Sequence, residues 1–62
     1  MKSAEVIRLI QQAGWFEVAR RGSHVQFKHN DLVGWVTVPH PKRDIPLGTL
    51  RSIEKQSGVQ LR

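Results

Sequence analysis

The chain has 62 residues, room for one small core and no more, so it is read as a single domain over residues 1–62. Ten Lys and Arg against five Asp and Glu give a formal charge of +5, which points to a polyanionic partner, nucleic acid or an acidic protein, beyond what solubility alone requires. There is no cysteine, which excludes disulfide staples and thiolate metal sites, and no run of apolar residues approaches a membrane span.

The first segment predicts an amphipathic helix. Ser3 is placed as its N-cap, and Val6, Leu9, Ile10 and Ala13 follow at i, i+3, i+4 and i+7 on one face. Gly14 stands where a helix takes a left-handed terminating residue. Glu5 and Arg8 interrupt the apolar residues here, so the segment does not read as a secretion signal, and the expected location is the cytoplasm.

Three extended segments follow. Trp15 to Arg21 is rich in aromatic and β-branched residues and runs into a turn at Gly22. From Ser23 to His29 the pattern alternates, with Val25 and Phe27 on one face and His24, Gln26 and Lys28 on the other. Residues 30–34 hold Asn30, Asp31 and Gly34 and predict a hairpin loop. Trp35 to Val38 is the third strand, closed by Pro39, which has no amide to give to a ladder.

A polar connector, His40 to Asp44, leads to a second helix beginning near Pro46. Leu47, Leu50 and Ile53 form its apolar side and Gly58 its stop. The order α-β-β-β-α implies a two-layer α+β domain: a three-stranded antiparallel sheet with two helices on one face. The other face stays open and carries His24, Gln26 and Lys28.

The Gly22-Ser23-His24 corner is the strongest candidate for chemistry. Gly22 permits close approach of a phosphate, Ser23 offers a donor, and an imidazole takes and gives protons near neutral pH. Transesterification of RNA needs a base for the 2′-OH, an acid for the 5′-oxygen and cations for the phosphorane, for which Arg21 and Lys28 are the candidates. The plainer reading is a solvent-facing histidine in a turn. A Ser23–His24 dyad is set aside because strand neighbours point to opposite faces. His24, His29 and His40 lack the spacing and carboxylate company of a metal site, so neither a metal nor another cofactor is expected. Lys42, Arg43, Arg51 and Lys55 offer further phosphate contacts. Trp35 is out of phase with Val36 and Val38. Its ring is available to stack on a base, to cover the sheet edge or to meet a protein partner.

Gly14-Trp15, Gly22-Ser23-His24 with Phe27, Val36-Thr37-Val38-Pro39, and Gly48-Thr49-Leu50 with Ile53, Lys55, Gln56 and Gly58 together resemble the HicA toxins, over nearly the whole chain. The resemblance implies a double-stranded-RNA-binding-domain-like fold and a metal-independent mRNA interferase whose Gly-Ser-His histidine, here His24, is catalytic. It also implies a HicB-type antitoxin partner that covers the active site. Two departures stand out: Val25 and Ala19 occupy positions where many members carry a histidine and a basic residue. The competing readings are a non-catalytic RNA-binding module of the same fold and, last, a DNA-binding subunit, for which no helix-turn-helix spacing is present.

Overall fold

The computed structural model describes residues 1–61. Helix α1 spans Ser3–Gln12, strands β1, β2 and β3 span Phe16–Arg21, His24–Lys28 and Val36–Pro39, and helix α2 spans Leu47–Ser57. The strands form one antiparallel sheet in the order β1-β2-β3. The expected α+β architecture is therefore the observed one. No helix among the described residues is long and apolar enough to cross a membrane.

One apolar layer holds the two helices to the sheet. Val6 and Ile10 of α1 and Leu50 and Ile53 of α2 meet Val25 and Phe27 of β2 and Val36 and Val38 of β3, all buried. Each such side chain contributes about 1.5–3 kcal/mol on burial. Trp15 closes one end of this layer, its indole Nε1–H donating to the Ser57 carbonyl at 3.2 Å. That bond satisfies the one polar group the ring takes into the core.

Helix α1 ends as the glycine predicts. Gly14 has φ 101, its amide bonds Gln11 O, and the Trp15 amide bonds Ile10 O, the paired pattern of a Schellman stop. The start differs from expectation. Lys2, not Ser3, is the N-cap, and Ser3 is the first helical residue, buried with its hydroxyl engaged elsewhere. Ser3 Oγ accepts from the Lys42 amide at 2.8 Å and shares a hydrogen with His40 Nδ1 at 2.7 Å. The hydroxyl therefore anchors the connector to α1 instead of capping the helix.

Two further differences follow from packing. Trp35 lies just before β3 rather than in it, and Leu47 is half exposed instead of joining Leu50 and Ile53 in the core. Leu47 is the first residue of α2, where the chain has only just turned onto the sheet; Ile45, just after the connector, takes the buried place.

Strand β1 is the outlying edge, with five of its six residues exposed. Its pairing with β2 slips by one residue between Glu17 and Ala19, a β-bulge at Val18. Beyond the bulge Arg20 opposes Val25 and Arg21 opposes His24. The same slip brings Glu17 and Arg20 to one side, where they form an ion pair at 3.4 Å.

Candidate active site on the open sheet face

Gly22 and Ser23 alone connect β1 to β2, and Gly22 takes φ 55, a left-handed conformation that a residue with a Cβ adopts at a cost. This tight loop fixes Arg21 and His24 as the closing pair of the hairpin. Directly opposed residues share a face with Cβ atoms about 4.5–5.5 Å apart, so the guanidinium of Arg21 is rooted beside the imidazole. On its other side His24 opposes Pro39 of β3.

His24 opens onto a shallow cleft of about 310 Å³ lined by Thr37, Pro39, Lys42, Pro46 and Thr49. The connector supplies Lys42, and the first turn of α2 supplies Thr49. No side chain caps the start of α2, so the partial positive charge of its unpaired amides faces this region. The lining contains two cationic or titratable side chains, His24 and Lys42, two hydroxyls and no carboxylate. Its chemistry suits a phosphate.

The three histidines differ in their bonding. His29 Nδ1 accepts from the Asp31 amide at 3.0 Å, so Nε2 carries the hydrogen given to the Ala13 carbonyl at 2.9 Å. The ring also sits edge-on to Trp15, with centroids 5.2 Å apart. His40 is tied to Ser3. The His24 side chain is exposed, and its ring makes no hydrogen bond to protein among the described residues. Among those residues, no group of three His, Asp or Glu side chains is placed to hold a metal ion.

Of the other residues singled out from the sequence, Gly22, Ser23, Arg21 and Lys42 gather with His24 at this corner. Lys28 and Arg43 do not. Lys28 is at the far end of β2, its Nζ 5.0 Å from the centroid of the Trp35 ring. Arg43 lies on the opposite flank of Lys42, in a depression shared with Lys2 and Ala4 of the α1 end. Thr37 and Thr49 were not singled out as site residues. Strand alternation places Thr37 on the open face, but only the docking of α2 against β3 brings Thr49 to the same cleft.

The model of the family described as "HicA toxin of bacterial toxin-antitoxin" matches residues 3–59. A chain of the solved "HicA3 and HicB3 toxin-antitoxin complex" superimposes with a TM-score of 0.88 at 32% sequence identity, covering 100% of both chains. No curated protein matches. The family match takes in all five elements and the His24 corner, and this chain belongs to the HicA toxin family.

Proposed function

We propose that this toxin is a metal-independent endoribonuclease that cleaves mRNA through His24. The observation that carries the reading is the imidazole: among the described residues His24 is the histidine whose ring has no hydrogen-bond partner, and it opens onto a cleft with a cation and no carboxylate. His24 serves as general acid or base while the 2′-oxygen attacks the adjacent phosphorus. The new O2′–P bond replaces the P–O5′ bond, the 2′ proton leaves to the base and the 5′-oxygen gains one, giving a cyclic phosphate and a 5′-hydroxyl end. Arg21 offsets the negative charge that builds on the phosphorane, Lys42 holds a substrate phosphate at the cleft wall, and Gly22 and Ser23 border the backbone path. Lys28 and Arg43, on either side of the cleft, bind flanking phosphates.

The neutralising partner is a HicB-type antitoxin that covers the His24 corner. Its support is the family and the likeness to the chain from the HicA3–HicB3 complex. Binding to the folded state also stabilises a domain whose size lets it bury only about 60% of its unfolded surface.

The test is cleavage of a labelled RNA by the antitoxin-free protein in EDTA, alongside His24→Ala and a substrate carrying a single 2′-deoxy position at the cut. Cleavage that requires both the imidazole and the 2′-OH is expected. Unchanged cleavage by His24→Ala removes the assignment. No cleavage, with salt-sensitive RNA binding equal in both proteins, makes the chain a binding module of the same fold.

A further inference from the structure

The open face of the sheet presents two different rows across its strands. At the loop end the row is Arg21, His24 and Pro39. At the other end Phe16 opposes Lys28, whose ammonium lies over one face of the Trp35 ring, 5.0 Å from its centroid, so that a base stacks on the other face. Phe16 is 44% and Trp35 49% exposed. Between the two rows lie Ala19, Gln26 and Thr37, which are small or polar and leave the surface flat. Along β2 the rows are separated by about 13 Å, four residues at about 3.3 Å each.

We propose that the Phe16–Lys28–Trp35 row is a base-stacking subsite for single-stranded RNA. In it one unpaired base lies on the Trp35 indole, Lys28 meets a neighbouring phosphate, and the strand runs along β2 to the His24 cleft. The proposal rests on the ribonuclease reading for its direction toward His24, and adds to it a second point of attachment for an unpaired strand.

Four arguments select this occupant. An aromatic ring with a cation over one face is matched to a nucleotide, which brings a π-face to the other side of the ring and a phosphate to the cation. A protein partner is a poorer match, because charged residues are depleted from the cores of protein interfaces and Lys28 stands in the middle of this row. A duplex is a poorer match too, since its bases are stacked on each other and present no face to a ring, whereas unpaired bases are splayed onto aromatic side chains. The chain's charge of +5 supports a polyanion over the whole face.

Binding, not cleavage, tests the subsite. The probe is a fluorescein-labelled 2′-O-methyl oligoribonucleotide, which cannot be transesterified, with a companion series carrying one abasic position at each place in turn. Anisotropy titrations compare the intact protein with Trp35→Ala and Trp35→Phe; position 35 is outside the strands and half exposed, so both variants keep the fold. Trp35→Ala is expected to weaken binding by about 5- to 150-fold and Trp35→Phe by much less. One abasic position should weaken the intact protein by a similar factor and cost nothing further in Trp35→Ala. Equal affinity of intact protein and Trp35→Ala overturns the subsite, as does a loss in Trp35→Ala that no abasic position reproduces, or equal binding of the matching duplex. A protein that cleaves RNA in EDTA yet shows any of these results keeps the ribonuclease reading and loses the subsite.

Discussion

The two ends of strand β2 each carry a histidine, and the fold treats them in opposite ways. His29, just past one end, is held on both ring nitrogens and edge-on against Trp15, and the space beside it is filled so closely that a Cβ on Gly14 would come within 2.6 Å of its Nε2. It clips the loop before β3 to the end of α1. The His24 ring, at the other end, is exposed and makes no hydrogen bond among the described residues. A fully bonded imidazole has no lone pair or proton left for a substrate; an unbonded one beside cations has both. Residue type is the same at the two ends, and bonding decides which ring is left available to a substrate.

That contrast breaks if the two residues respond alike. His24→Ala should reduce RNA cleavage by about 10²–10⁴-fold, the range for a positioned acid–base group. It should leave stability within about 0.5 kcal/mol, since the side chain is exposed and its ring makes no hydrogen bond among the described residues. Rate measurements and thermal melts on one preparation check both halves.

The clip should show the reverse. Gly14→Ala puts a side chain at φ 101, which costs about 1–3 kcal/mol in strain, and also drives its Cβ against the His29 ring. For a domain of this size each kcal/mol is worth about 4–8 °C in Tm. His29→Ala removes two hydrogen bonds and should cost about 1–2 kcal/mol, with cleavage per folded molecule unchanged. The double variant sharpens the point: because the two residues touch, the combined loss in a melting experiment should be smaller than the sum.

The smallest effect is expected at Lys42, the wall of the cleft. Lys42→Ala should weaken RNA binding by a similar factor for every sequence and lower the salt slope of the binding constant by about one. A slope that does not move would place Lys42 outside the phosphate path.

Much of this molecule is legible along the chain because its signals are local. Apolar spacing at Val6 and Ile10, alternation from Val25 to Phe27, and stops at Gly14 and Gly58 each depend on a few neighbouring residues, and all reappear in the structure. Ser3 misled for a physical reason: a serine before an apolar run matches a cap, but its hydroxyl found partners at His40 and Lys42, almost forty residues away. Leu47 fitted the helical stripe, yet the first turn of α2 sits too far out on the sheet to bury it.

The sequence by itself determined the element order, the apolar face of each element and the exposed Gly22-Ser23-His24 corner, because backbone preference and periodicity act over short spans. Tertiary structure decided which arginine shares the face of His24. The bulge at Val18 shifts the register by one, and without it Arg20 rather than Arg21 would oppose the imidazole. It also decided that Thr49 joins the cleft while Lys28 leaves it for Trp35, and that two of the three histidines are bonded. These outcomes depend on pairing register and on contacts between residues distant in the chain, which no local pattern encodes.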